Sequence, residues 1–222
     1  SVKEIVAGSF DNGVLKDAYI YIFDGKTDTL EWKSNDLGGE VRLAVADTDD
    51  DGTMDIVCGS RDGYLSVFDA VSHELKWKSR DMGGYMRGVA AEDIDNDGTV
   101  EILAGNAEGE LTVFDGKTYE KKWTLMTGND RTIGWIGPIL VDDLDADGVK
   151  EILFGLLEGH GLPARGIGYV YIYDGKSRAL KWKSGPLEQF TWVYDAYDVD
   201  GDGIKEILAG GKTTAYVLKL GK

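Results

Sequence analysis

Apolar residues in this chain come in short bursts of four to seven, each closed by glycines and aspartates. That length and punctuation predict β-strands, and no segment of ten or more residues carries the 3.6-residue apolar period of a helix. The longest burst, Ile152 to Leu157, already includes Gly155 and falls far short of the ~18 apolar residues a membrane helix needs, so no membrane insertion is expected. Some runs, such as Tyr169 to Tyr173, are apolar at nearly every position. A sheet covered on both faces is expected there, because a sheet with one wet face alternates in and out.

The bursts repeat. One line recurs as ADTDDDGTMDIVCG from Ala46, EDIDNDGTVEILAG from Glu92, DDLDADGVKEILFG from Asp142 and YDVDGDGIKEILAG from Tyr197. Its first loop aspartates are Asp47, Asp93, Asp143 and Asp198, at steps of 46, 50 and 55 residues. KEIVAG at Lys3 matches the end of the line without the acidic loop. A second motif follows each (YIYIFDGKT, YLSVFDAVS, ELTVFDGKT, YVYIYDGKS), and Trp32, Trp77, Trp123 or Trp182 comes eight residues after the Asp of that turn. Each unit therefore reads as four short strands, A to D, with the acidic loop between A and B. Four-strand repeats of this length predict an all-β fold, a β-propeller of about five four-stranded antiparallel blades in one domain over residues 1–222. Blades are expected at approximately 1–37, 38–84, 85–128, 129–187 and 188–222, the first lacking strand A and the last strand D, so that ring closure is not evident.

Composition sharpens this. Forty acids against 24 Lys and Arg leave a net charge of −16, which excludes a nucleic-acid partner that needs a basic surface. A lone Cys58 excludes an internal disulfide framework, and its alignment with Ala7, Ala104 and Ala209 reads as a buried strand position. The start carries no signal-peptide pattern, as expected of a cytosolic or a processed chain.

The charge excess has an address. Each loop follows D-x-D-x-D-G-x-x-[DE], giving the candidate ligands Asp47, Asp49, Asp51, Thr53 and Asp55; Asp93, Asp95, Asp97, Thr99 and Glu101; Asp143, Asp145, Asp147, Val149 and Glu151; and Asp198, Asp200, Asp202, Ile204 and Glu206. Carboxylates at positions 1, 3, 5 and 9 wrap inward, Gly at 6 permits the turn, and position 7 offers a backbone carbonyl. All-oxygen ligation in a flexible loop favours Ca²⁺, about four ions, over softer metals and over Mg²⁺. The candidate ligand positions hold 16 of the 40 acids, so the remaining 24 balance the 24 bases.

These loops, followed by Asp-Ile-Val-Cys-Gly, Glu-Ile-Leu-Ala-Gly or Glu-Ile-Leu-Phe-Gly, resemble the calcium-binding FG-GAP/VCBS propeller repeats found in integrin α-chain heads and secreted microbial proteins. The Gly-Ala-Pro signature of that family is absent, since Gly105 is followed by Asn106 and Gly210 by Gly211, and the FDGKT…Trp segments are similar to PQQ-type repeats. The resemblance implies an extracellular, usually non-enzymatic module with metal in the loops between strands A and B.

Insertions fall on the other edge of the blades. From the strand-B glycine to the strand-C aromatic is nine residues in blades two and three, but 15 in blade one and 18 in blade four. One face is standardised and the opposite one diversified, as in a scaffold that carries binding loops. The diversified loops hold Arg131, Trp135, His160, Arg165, Gln189, Phe190 and Trp192, groups suited to stacking on a sugar or anchoring a protein. His73 reads as a solvated turn residue, and two histidines with no nucleophile–base grouping give no support for a hydrolytic triad. The expected role is non-catalytic: recognition of carbohydrate or protein, head-to-tail self-assembly through incomplete terminal blades, or an accessory domain of a larger polysaccharide lyase or hydrolase.

Overall fold

The computed structural model describes residues 3–9, 17–127, 134–159 and 166–220. Among these, 18 strands and no helix form five antiparallel sheets. The first sheet holds β1 (Ile5–Gly8), β2 (Ile20–Phe23) and β3 (Leu30–Lys33); the second β4 (Val41–Ala46), β5 (Asp55–Ser60), β6 (Leu65–Asp69) and β7 (Leu75–Lys78). The third holds β8 (Met86–Glu92), β9 (Glu101–Asn106), β10 (Glu110–Asp115) and β11 (Lys121–Met126). The fourth holds β12 (Trp135–Asp142), β13 (Glu151–Glu158), β14 (Ile167–Asp174) and β15 (Leu180–Lys183); the fifth β16 (Trp192–Tyr197), β17 (Glu206–Gly210) and β18 (Ala215–Leu218). Each sheet is a meander in chain order, with three strands in the first and last and four between.

The sheets stack face to face, also in chain order. β4 packs against β8, β8 against β12 and β12 against β16, which lines up the A strands along one side of the stack. β1 meets β4, whereas among the described residues the first and fifth sheets make no comparable contact, so the described sheets form an open arc. The strand-B glycines allow the close approach. A Cβ on Gly59 would lie 2.6 Å from Val89 Cγ2, and one on Gly105 or Gly155 would overlap Ile136 or the Thr191 carbonyl of the following sheet.

Core residues belong to the junctions between sheets. Leu103, Leu111 and Val113 of the third sheet interdigitate with Ile136, Ile152, Phe154 and Tyr173 of the fourth. Leu153, Val170 and Ile172 of the fourth meet Val193, Ala196, Ile207 and Ala209 of the fifth. Because each inner sheet is clamped on both sides, β5 and β9 are buried at every position. This accounts for the unalternated apolar strands.

The repeating tryptophans are inter-sheet locks. Trp32 packs on Phe68 and stacks on His73 at 4.8 Å, and Trp77 packs on Phe114 and stacks on Tyr119 at 5.1 Å. Trp123 repeats the pattern with the Arg178 guanidinium, 5.3 Å from its ring. His73 is therefore not a simple solvated turn residue: it, Tyr119 and Arg178 hold positive φ (63°, 58° and 64°), which turns each side chain toward the preceding sheet's indole. Cys58 is buried, and burial pushes its thiol up to about 12, which leaves it inert at neutral pH.

Candidate metal centres

Each acidic loop joins the end of an A strand to the start of a B strand, so four copies lie along one edge of the stack. The local fold is imposed by the loop's own carboxylates. Position 1 caps the turn: Asp47 accepts from the Asp51 and Gly52 amides at 3.2 and 3.0 Å, and Asp93 does the same for Asp97 and Gly98. Asp143 accepts from Gly148, and Asp198 from Gly201, Asp202 and Gly203. Position 5 holds position 7: the amides of Thr53, Thr99, Val149 and Ile204 donate to Asp51, Asp97, Asp147 and Asp202 at 2.7–3.0 Å. The Thr53 hydroxyl and amide bonds hold the Asp51 carboxyl at about 2. Positions 4 and 6 are left-handed, with φ of 61° and 88° at Asp50 and Gly52, which bends the chain around its own oxygens.

Position 9 closes the cage from below. Asp55, Glu101, Glu151 and Glu206 are buried, and each gives one oxygen to the position 2 amide of its own loop: Thr48, Ile94, Leu144 and Val199. Burial raises the pKa of Glu101 and Glu151, offset by hydrogen bonds from Lys122 and Lys181. One oxygen from each of Asp93, Asp95 and Glu101, of Asp143, Asp145 and Glu151, and of Asp198, Asp200 and Glu206 lies within 4.8 Å of the others. In the second sheet the corresponding group is Asp47, Asp49 and Asp51. There position 9 is an aspartate, one methylene shorter, and its Oδ2 is taken by the Thr48 hydroxyl at 2.5 Å.

These donor sets fit a hard divalent cation. Asp49 Oδ1, Asp95 Oδ1 and Asp145 Oδ1, the same position 3 atom in three loops, are buried without a hydrogen-bond partner among the described residues. Buried carboxylate oxygens are costly when unsatisfied, and a bound cation would satisfy them.

A lysine enters every cage. Lys76 Nζ lies 2.6, 3.3 and 3.0 Å from Asp49, Asp51 and Asp55, and Lys122 Nζ 3.6, 3.4 and 2.6 Å from Asp95, Asp97 and Glu101. Lys181 does the same with Asp145, Asp147 and Glu151, and Lys219 with Asp200, Asp202 and Glu206. Lys76, Lys122 and Lys181 each precede the strand-D tryptophan, whereas Glu31 stands there in the first sheet, whose described residues include no acidic loop. The ammonium is an internal counter-ion, and a divalent ion bound there would compete with it for the same oxygens. Burial works against the charge on Lys76, yet its hydrogen bonds to Asp49, Asp55 and Asp51 hold its pKa above the usual lysine value. Sequence reading missed these lysines because they come 17 to 36 residues after the loop aspartates they reach.

Of the residues singled out on the opposite edge, Arg131, His160 and Arg165 lie outside the described residues. Trp135 and Trp192 begin β12 and β16, at the end away from the acidic loops. They line one pocket with Phe190, Thr191, Arg42 and Arg87, and Gln189 is not part of its lining. The two arginines share a Gly-Gly-x-x-Arg spacing, Gly38 to Arg42 and Gly83 to Arg87, which the reading of the loops passed over.

Comparison with known proteins supports the architecture. A family profile described as "Lambda-carrageenase beta-propeller domain" matches residues 55–134. Saccharomyces cerevisiae Sqt1 superposes with a TM-score of 0.67 at 13% identity, over 99% of this chain and 56% of that one. The computationally designed Ika8 protein gives 0.58 at 15% identity, over 99% of this chain and 69% of its own. The designed Ika4 protein gives 0.53 at 16%, over 81% and 89%. No curated protein matches. The chain thus has a β-propeller-type repeat fold and spans little more than half the length of Sqt1.

Proposed function

We propose that this chain is a calcium-stabilised β-propeller of the FG-GAP/VCBS kind. In this reading it works outside the cell in a non-catalytic role and recognises carbohydrate through the face opposite its acidic loops. The observation that carries this is the fourfold recurrence of converging carboxylates, three of them with an identical buried oxygen lacking a hydrogen bond. Four copies of one arrangement, tied to the backbone at the strand junctions, suit a structural ion better than a catalytic one, of which a single copy would serve. Flexible all-oxygen loops match calcium, whose extracellular modules bind with Kd of about 10⁻⁴–10⁻³ M. At about 1 mM calcium a site with Kd of about 10⁻⁴ M contributes ~1.4 kcal/mol, and four add enough to shift a melt by about 10 °C or more. Melting in calcium against excess chelator tests this: the reading requires a clear loss on chelation, and superimposable melts overturn it.

The carbohydrate part is supported by the likeness of residues 55–134 to a lambda-carrageenase propeller domain. The same likeness supports a role as an accessory domain beside a polysaccharide-cleaving unit. A second reading is self-association. Tyr194, Leu208 and Val217 on the fifth sheet are exposed, whereas the register counterparts of Leu208 and Val217 in inner sheets form the buried junctions. The half-buried Tyr21 and Phe23 of the first sheet alternate with the buried Ile20 and Ile22, so they turn to the side away from the second sheet. A second copy stacking its first sheet on this fifth sheet would repeat the internal junction. Light scattering across protein concentration decides it: growth in mass supports stacking, and a constant monomer mass removes it.

A further inference from the structure

The chain carries a large negative charge, and most of its described lysine contacts are with acids. An arginine on β8 is held otherwise. Arg87, in the β-bulge between Met86 and Gly88 of β8, lies with its guanidinium carbon 4.1 Å from the Trp135 ring centroid. Among the described residues no carboxylate comes within ion-pair distance of it, and its buried Nε has no hydrogen-bond partner. Two further guanidinium groups stand close. Arg42 lines the same pocket and pairs with Glu40, and Arg61 donates to the Tyr85 hydroxyl at 3.1 Å while lying 4.7 Å from that ring. Burial makes Arg87 easier to deprotonate than a free arginine, Glu40 opposes this, and the nearby charges of Arg42 and Arg61 add to it.

The rest of the pocket is aromatic. Phe190 sits at a φ of 57° and remains 40% exposed, 5.9 Å from Trp135. A left-handed phenylalanine is a strained choice that persists where the surroundings dictate it, often at binding sites. Gly137 permits the packing, since a Cβ there would press on Trp192 Cδ1 at 3.2 Å. The free space is only about 20 Å³, room for little more than a water or the tip of an oxyanion, with Phe190 and Trp192 at its wall.

We propose that this pocket binds the oxyanion of a charged sugar, a sulfate ester or carboxylate on a pyranose ring. Arg87 is the anion-binding group, and Phe190 and Trp192 support the sugar's apolar face. Stacking on Trp135 fixes the plane of the guanidinium, so its N–H fork is presented to the oxyanion in a set orientation. A guanidinium half-withdrawn from water and lacking a carboxylate gains more from an anion than a solvated one does. Arg42 and Arg61 add positive charge beside it, which Glu40 partly balances. This rests on the reading that the face opposite the acidic loops recognises carbohydrate, and it names the chemistry of that site.

The test is calorimetric titration of the calcium-loaded chain with three oligosaccharide probes of matched length, from λ-carrageenan, polygalacturonate and agarose. Binding is expected for a sulfated or a uronate probe, weakening as salt rises, and which of the two binds identifies the source of the oxyanion. Arg87→Ala is expected to lose about tenfold or more in affinity, with Arg87→Lys recovering only part of it. Both variants should melt like the parent in the same buffer, which separates lost recognition from lost folding. Equal binding of the neutral probe, unmoved by Arg87→Ala, overturns this inference while leaving carbohydrate recognition standing. Silence with all three probes overturns both.

Discussion

The third and fifth sheets begin with nearly the same line, EDIDNDGTVEILAG against YDVDGDGIKEILAG, and end in different surroundings. Their acidic loops fold alike, with the same caps at positions 1 and 5 and the same position 9 bond to position 2. Their side chains do not fare alike. Leu103 is fully buried and Leu208, its register equivalent, is 44% exposed, while Ile94 at loop position 2 is 1% exposed and Val199 69%. The loop is a local object that its own carboxylates and glycines specify. The core is collective, and exists only where a neighbouring sheet supplies the second half of each junction.

That contrast sets the size of what mutations should do. Leu103→Ala is expected to cost about 2–5 kcal/mol in denaturant unfolding, because it opens a cavity in a closed junction. Leu208→Ala should cost no more than about 0.5 kcal/mol as a surface change. Equal losses would mean the fifth sheet's outer face is covered in solution. The next effect is smaller and should not distinguish the sheets. Glu101→Gln and Glu206→Gln each remove one cage, so each should lose about 1–2 kcal/mol of the calcium-dependent stability. A loss in one sheet only would show that the loops depend on burial after all. Smallest is the tethered ammonium. Lys122→Met should tighten calcium at its site several-fold and lower the chelated melt, since it removes a competitor and leaves buried acids uncompensated. Lys219→Met should do less, because its side chain is more exposed. Unchanged calcium affinity in Lys122→Met would deny the lysine any place in the cage.

Repetition made much of this legible from sequence. Strand length, the strand-B glycine and the D-x-D-x-D-G spacing recur, so all-β architecture, the sheet order and the four cages could be read as one pattern. What escaped lies in contacts between units or in departures from the pattern. The cage lysines sit on other strands than their acids, and the tryptophan locks join a strand D to the next sheet's turn, which is why His73 looked solvated. Arg42 and Arg87 occupy comparable strands, yet only Arg87 sits in a bulge, whose register shift no periodicity announces. Repeated positions encode the scaffold; the aromatic groups of the pocket opposite, Trp135, Phe190 and Trp192, stand where the repeats differ.

Everything central depends on cations completing the acidic cages. The direct measurement is equilibrium dialysis of the chelated chain against graded calcium, with bound metal counted per chain. Saturation near four ions, one for each converging cluster, is the predicted result. Retention of none at millimolar calcium would contradict it, and would leave Lys76, Lys122, Lys181 and Lys219 as the counter-ions of these carboxylates among the described residues.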